Sequence, residues 1–222
     1  MGYGIIYRVR GPYALFTRPE MKVERVSYDV ITPSAARGII EAVYWKPAIR
    51  WVIDKIHVLN EIHFTNIRRN EVEDGISTDS ALTVMEGKNE WLYLASIENH
   101  VQRAAMVLKD VDYVIEAHFE ITDKAGIEDT EEKHYNIALR RLRDGQHFHA
   151  PCLGTREFGA TVELIEEKRN IPKSPLTGER DLGWMLYDLD FSNLRDIQPM
   201  FYHAMMQDGV IDVRELSKKV RR

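Results

Sequence analysis

The sequence predicts an α+β protein built on a ferredoxin-like (RRM-like) antiparallel sheet with helices on one face, followed by a small β-rich C-terminal subdomain. Three observations predict this class. A strand-like segment at 3–9 precedes a helical pattern that begins at Thr32, a largely alternating segment spans 111–121, and a second helical pattern begins near Asp129. In chain order this gives strand–helix–strand, strand, strand–helix–strand, which is the ferredoxin-like order.

The first strand is predicted to end at a turn formed by Gly11 and Pro12. Thr32 and Pro33 then predict a helix start, with a capping hydroxyl followed by proline at the first helical position. Pro47 ends the helix, because the residue before a proline disfavours the α region. The apolar face of this helix comprises Ala36, Ile39, Ile40, Val43 and Tyr44.

In the middle of the chain, the sequence predicts two paired strands followed by a loop that extends away from the sheet. Residues 49–59 are rich in β-branched side chains, and 61–68 are expected to pair with them. Residues 70–90 are polar and contain glycine, which favours a loop. The pattern at 98–109 favours a helix. Apolar and polar residues then alternate over 111–121, which predicts a half-buried strand.

A second helix is predicted to begin with a capping box formed by Asp129 and Glu132 and to end before Gly145. A strand is expected to follow at 159–166. The apolar face of the helix comprises Ile137, Ala138 and Leu142, and its last turn carries Arg140, Arg141 and Arg143.

The segment 171–178 has the proline and glycine content of a linker. We therefore predict two units, residues 1–170 as the ferredoxin-like domain and residues 171–222 as the β-rich subdomain. The lone Cys152 cannot form an internal disulfide, there is no apolar run near 18 residues, and the N-terminus has no signal-peptide character. These features predict a cytoplasmic protein that does not span a membrane.

The net charge of −5 is unevenly distributed along the chain. Residues 1–70 hold 11 Lys/Arg against 6 Asp/Glu, residues 71–132 hold 4 against 16, and residues 133–222 hold 15 against 13. A chain divided in this way can present basic surface to RNA and acidic surface to protein partners, although the charges could also simply alternate on a solvated surface.

Tyr44, Lys133 and His134 are the candidate catalytic residues. An imidazole can take the proton of a ribose 2′-hydroxyl or supply one to the leaving 5′-oxygen, and a lysine can neutralise charge on the phosphorane. A phenol can bind the phosphate or hold the imidazole. This set needs neither a metal nor another cofactor. From the residues alone, a core tyrosine and a surface Lys-His pair remain the alternatives.

RNA-binding candidates are basic or aromatic residues that could contact phosphates or stack on bases. Arginines at the end of the second helix could equally complement its dipole. His147 and His149 have a spacing that suits a metal, but further ligands are lacking nearby, so we do not predict a metal site. The RNA-binding candidates are Trp45, Lys46, Arg68, Arg140, Arg141 and Arg156.

Short sequence motifs over nearly the whole chain resemble one protein family. The most specific are Tyr44-Trp45-Lys46-Pro47 and the Gly-Thr-Arg-Glu-Phe motif at 154–158. The chain resembles the CRISPR-associated Cas-five proteins of the type I-C (subtype d) systems. The other matching segments are 11–16, 32–39, 67–70, 102–103, 112–117, 133–135, 152–153 and 186–188.

The resemblance implies a metal-independent endoribonuclease that cuts CRISPR repeat RNA at the 3′ base of its hairpin, leaving 2′,3′-cyclic phosphate and 5′-hydroxyl ends. It implies that Tyr44, Lys133 and His134 form the site. It also implies that the protein stays on the 5′ handle of the crRNA as a subunit of the type I-C interference complex. Two rivals are a non-catalytic handle-binding scaffold and an unrelated metabolic enzyme that uses His134 with His118.

Overall fold

The computed structural model describes residues 3–21, 23–88, 91–95 and 97–221. Its strands form one sheet with the order β5-β1-β4-β2-β8-β7-β6, and β3 pairs with β4 beside this path. All of these strand pairs are antiparallel. The strands are β1 (Gly4–Ala14), β2 (Ile49–Val58), β3 (His63–Val72), β4 (His100–Ile121), β5 (Thr161–Leu164), β6 (Glu179–Asp190), β7 (Gln198–Gln207) and β8 (Val210–Asp212). The helices are α1 (Pro33–Val43), α2 (Thr78–Met85), α3 (Glu131–Arg143) and α4 (Val213–Leu216).

The central strand β4 contains the alternating segment predicted at 111–121, but it begins much earlier. The helix predicted at 98–109 is wrong, because these residues pair with β3 from Val72 opposite His100 to His63 opposite Lys109. Pairing along a long hairpin overrides a weak local preference for helix. The excursion predicted at 70–90 contains α2, whose residues are all at least partly exposed.

The turn predicted at Gly11 and Pro12 is also wrong, because β1 continues to Ala14 and pairs with β4 along its length. Proline is tolerated there because β5 pairs with β1 only as far as Arg10. Beyond Arg10, β1 has no β5 neighbour on that side, and proline is compatible with such an edge.

Helices α1 and α3 lie against the same face of the sheet. The Tyr7 hydroxyl on β1 donates to the carbonyl oxygen of Ala36 in α1 at 2.7 Å. The ring of Phe119 on β4 lies edge-on to that of His134 in α3, with centroids 6.3 Å apart. Tyr7 lies opposite Ile115 in the ladder, and Ile115 and Phe119 share a strand face because side chains alternate.

Both helices begin with a threonine cap. The Thr32 hydroxyl accepts from the backbone N–H of Ala35 at 3.2 Å, which confirms the predicted start of α1. The cap predicted at Asp129 is wrong, because the Thr130 hydroxyl accepts from the N–H of Lys133 at 3.2 Å. The Asp129 carboxylate is therefore free to make contacts other than capping.

The C-terminal strands extend the same sheet. Strands β6 and β7 form a long hairpin, and β8 pairs with both β7 and β2. Ion pairing joins this hairpin to α1, where the Arg37 guanidinium contacts the Asp188 carboxylate with two nitrogens. Among the described residues, no helix is both long enough and apolar enough to cross a bilayer.

We expect Gly154→Ala to destabilise the fold by more than about 2 kcal/mol, because Gly154 has φ = +90°. A Cβ there would also lie 1.9 Å from the carbonyl oxygen of Leu15. Urea unfolding measures the loss. The matched control is Gly159→Ala, where a Cβ meets no described atom within 4 Å. Equal midpoints for the two variants would contradict the prediction.

Candidate active site

Tyr44 is held at the C-terminal end of α1 by three hydrogen bonds. Its backbone is extended (φ −151°, ψ 121°), and its N–H donates to the carbonyl oxygen of Ile40 at 2.8 Å. Its own carbonyl accepts from the indole N–H of Trp51 at 2.8 Å. Its hydroxyl lies 2.7 Å from Nδ1 of His134. The predicted phenol and imidazole, 90 residues apart in sequence, are therefore in direct contact.

His134 is in the first turn of α3 and is 1% exposed. Its second nitrogen, Nε2, lies 3.3 Å from Oδ1 of Asp129. That contact is electrostatic, since Nε2 makes no well-directed hydrogen bond within the described structure. The Lys133 ammonium donates to the carbonyl oxygen of Glu128 at 3.1 Å and lies 3.4 Å from Asp129 Oδ1. Asp129 therefore contacts both members of the Lys-His pair.

The protonation states follow from burial and from Asp129. Burial lowers the pKa of His134 below its ordinary value, although Asp129 acts in the opposite direction. Burial raises the pKa of Tyr44, and the nearby Arg141 partly opposes this effect. The Gly126 N–H, followed by Lys133, lowers the pKa of Asp129. At neutral pH the site therefore holds a neutral imidazole, a protonated phenol that donates to Nδ1, and a carboxylate.

The lowered pKa of His134 predicts that the stability of the fold depends on pH. A folded-state pKa below the unfolded value means that the unfolded chain binds the proton first, so His134 should cost stability as the pH falls from about 7 to 5. We expect wild type to lose more stability than His134→Gln over this range, because only wild type carries the group whose pKa is lowered by folding. Urea midpoints at each pH measure it. Parallel pH profiles for the two proteins would contradict the assignment.

A pocket of about 470 Å³ opens beside Tyr44. Trp45, Lys46 and Pro47 continue from Tyr44 along one side, and Glu41 and Arg141 also line it. Phe148 and His149 belong to the segment after α3, which is fixed to α1 because the Phe148 N–H donates to the carbonyl oxygen of Ala42 at 2.8 Å. Tyr44, which belongs to the buried pair, is thus also one of the residues that line an open, aromatic pocket.

The six predicted RNA-binding residues are divided between this pocket and other surfaces. Trp45, Lys46 and Arg141 line the pocket. Arg140 is exposed on α3, while Arg68 on β3 and Arg156 in the 155–158 turn lie outside the pocket lining. Of the six, the exposed cations that form no ion pair with any described carboxylate are Lys46, Arg68, Arg140 and Arg156.

Arg141 supports Tyr44. Its Nη1 donates to the carbonyl oxygen of Val43 at 2.9 Å, and its guanidinium carbon lies 5.5 Å from the centroid of the Tyr44 ring. The guanidinium is only partly exposed, so it ties the end of α1 to α3 while lining the pocket.

Sequence reasoning missed Asp129 as a member of the site and treated Phe148 and His149 only as part of a rejected metal motif. The sequence signal for Asp129 was its position four residues before Lys133, because side chains at i and i+4 lie close together at a helix start. His118 is not in the site. Phe119 contacts His134, and the adjacent His118 therefore points to the opposite face of β4, where it meets Asp54 at 2.8 Å. That arrangement contradicts an enzyme site built from His134 and His118.

Comparison with known proteins identifies the class to which this fold and site belong. Two solved structures superpose over the whole chain at 25% sequence identity. One, titled as a CRISPR-associated protein, has a TM-score of 0.71 with 97% of its chain covered. The other, a functionally uncharacterized protein from Streptococcus mutans, has a TM-score of 0.69 with 98% covered. The class is thus that of the CRISPR-associated proteins.

The family and the relatives are more specific. The model of the Cas5d family, described as "CRISPR-associated protein (Cas_Cas5)", matches residues 4–214, and the chain belongs to this family. A relative from Mannheimia succiniciproducens is 51% identical over 217 residues, covering 96% of both chains. One from Thermus thermophilus is 36% identical over 223 residues, covering 93% of this chain and 89% of its own. Both are named CRISPR pre-crRNA endoribonuclease Cas5d.

Proposed function

We propose that this protein is a metal-independent CRISPR pre-crRNA endoribonuclease that cuts the repeat transcript at the 3′ base of its hairpin. The observation that carries the proposal is the 2.7 Å contact between the Tyr44 hydroxyl and His134 Nδ1, in a chain half identical to a protein named for this activity. Pre-crRNA is accordingly its substrate, and endonucleolytic cleavage of RNA is its reaction.

The chemistry is an internal transesterification. The 2′-oxygen attacks the adjacent phosphorus while its proton passes to a base, and the bond from phosphorus to the 5′-oxygen breaks as that oxygen gains a proton. The products are a 2′,3′-cyclic phosphate and a 5′-hydroxyl. General acid–base catalysis contributes about 10²–10⁴-fold to such reactions, and a cation near the phosphorane stabilises its added charge.

The contacts support distinct roles for the three candidates. His134, neutral at working pH, accepts or returns a proton at Nδ1, which is hydrogen-bonded to the hydroxyl of Tyr44, a residue of the pocket lining. Asp129 stabilises the imidazolium through its carboxylate 3.3 Å from Nε2. Lys133, whose side chain is 44% exposed, supplies the cation for the phosphorane. In the free protein Tyr44 and His134 are 2% and 1% exposed, so the scissile phosphate reaches them only after local opening.

The sheet supports a ferredoxin-like core. The order β5-β1-β4-β2, with α1 and α3 on one face, is the spatial order of a split βαβ unit, and β3 and α2 are an insertion between its second and third strands. We propose that residues 1–170 form the ferredoxin-like, RNA-binding and catalytic unit and residues 171–222 the β-rich subdomain. The protein acts in the cytoplasm and stays on the crRNA 5′ handle with the other subunits of the type I-C interference complex.

The alternative is a handle-binding scaffold without activity, and the burial of Tyr44 and His134 is the observation that favours it. Incubation of the purified protein with the repeat RNA of its own locus in EDTA separates the two functions. We expect cleavage at one position, with a cyclic phosphate on the upstream fragment and a hydroxyl on the downstream one. Bound but uncut RNA would support the scaffold, and cleavage only after Mg²⁺ is restored would contradict the metal-independent mechanism.

A further inference from the structure

The pocket beside Tyr44 has features that the cleavage chemistry does not use. The transesterification needs a proton acceptor, a proton donor and a cation, whereas most of the pocket wall is aromatic or apolar. Its volume of about 470 Å³ lies within the ~300–1,000 Å³ typical of small-ligand pockets. The pocket therefore provides space for a part of the RNA other than the scissile phosphate.

Two aromatic side chains of the pocket are unusually exposed in the free protein. Trp45 is 53% exposed and Phe148 is 86% exposed. The His149 ring meets Phe148 edge-on with centroids 6.0 Å apart, so the two rings form a corner. Exposed aromatic faces beside a basic groove are how proteins bind unpaired bases, because every base has a π-face on which such side chains stack.

The charges around the pocket favour a polyanion. Lys46 is exposed and unpaired with any described carboxylate, and Arg141 is a second cation in the lining. The only carboxylate among the lining residues is Glu41, which lies 3.5 Å from Arg37 and is thereby partly neutralised. A nucleotide supplies both a flat base for the aromatic rings and a phosphate for these cations.

We propose that this pocket binds one unpaired nucleobase of the repeat RNA, in the nucleotide that flanks the scissile phosphate. The inference rests on the proposed function, and it assigns Phe148 and Trp45 as the stacking residues and Lys46 as the phosphate contact of that nucleotide. The position follows from Tyr44, which contributes to the pocket wall while its hydroxyl contacts His134. A base seated in the pocket places the adjoining phosphate beside Tyr44, whose hydroxyl the phosphate reaches after the local opening described above.

The test combines the removal of one RNA base with the removal of the Phe148 ring. Repeat RNAs carrying a single abasic site at each unpaired position near the cleavage site are cut by wild type and by Phe148→Ala. Stacking on one aromatic residue corresponds to about 10-fold in kcat/KM. We expect one abasic position to slow wild type about 10-fold and Phe148→Ala to slow the intact RNA about 10-fold. Together they should slow cleavage by about 10-fold rather than 100-fold, because both remove the same contact.

Phe191→Ala is the matched control, since Phe191 is 51% exposed and lies just after β6, outside the pocket lining. It should cut every RNA as wild type does. Multiplicative losses at every position, or wild-type cleavage by Phe148→Ala, would overturn the pocket assignment. Equal urea midpoints for the two alanine variants show that a loss by Phe148→Ala does not come from unfolding.

A binding measurement separates this inference from the cleavage proposal. RNA with 2-aminopurine at the sensitive position, mixed with Tyr44→Phe so that it stays uncut, should lose fluorescence when the base stacks. Adding Phe148→Ala to Tyr44→Phe should restore the fluorescence. Failure of wild type to cut repeat RNA would overturn the proposed function and the position of the nucleotide beside a scissile phosphate, while a loss of fluorescence that depends on Phe148 would still support base binding. Cleavage with unchanged fluorescence on binding would overturn the base pocket alone.

Discussion

A single 2′-deoxy substitution at the nucleotide whose 2′-oxygen is the proposed nucleophile should abolish cleavage of repeat RNA. The substitution removes the attacking atom, so no rearrangement of Tyr44, Lys133 or His134 can compensate for it. Binding should change by less than about twofold, because one hydroxyl is a small part of an interface dominated by phosphate contacts. Denaturing gels measure cleavage and native gels measure binding with the same labelled RNA.

The matched control is the same substitution one nucleotide downstream of the cut. That RNA retains the nucleophile, and we expect it to be cleaved at the wild-type rate. Cleavage of the first RNA, with a 3′-phosphate or 3′-hydroxyl in place of the cyclic phosphate, would mean that water is the nucleophile. The assignment of the 2′-hydroxyl proton to the Tyr44–His134 pair would then be wrong.

How much of the fold could be predicted depended on whether the signal was local. The signal for the start of α1 is local, because the Thr32 cap contacts the backbone only three residues further on, at Ala35. The alternation at 111–121 predicts half of β4. The first half of β4 could not be predicted, because its strand conformation comes from pairing with β3 across the hairpin. The continuation of β1 past Pro12 likewise depends on where β5 stops, which a local pattern does not encode.

The site shows the same division. Tyr44 and the Lys133-His134 pair could be identified as chemically capable groups from their side chains, and their order along the chain resembled one family. Their convergence needed the tertiary fold, since α1 and α3 must pack side by side on the sheet before the hydroxyl meets Nδ1. Asp129 was missed because a carboxylate before a helix is usually a cap, and here Thr130 takes that role.

The second large effect concerns the hydrogen bond between Tyr44 and His134. We expect Tyr44→Phe and His134→Gln each to lower the cleavage rate by about 10²–10⁴-fold, the range for loss of a proton-transferring group. The double variant should be no more than about threefold slower than the worse single variant. Groups that act as one unit lose their whole contribution when either is removed. Single-turnover cleavage at saturating protein measures all four rates.

Tyr202→Phe is the matched control for removing a buried hydroxyl. Tyr202 is fully buried and its hydroxyl has no hydrogen-bond partner in the described structure, so its loss should leave both cleavage and folding unchanged. RNA binding by Tyr44→Phe should stay within about twofold of wild type, because the hydroxyl contacts His134 in the free protein. If the two rate losses multiplied, Tyr44 and His134 would act on separate steps.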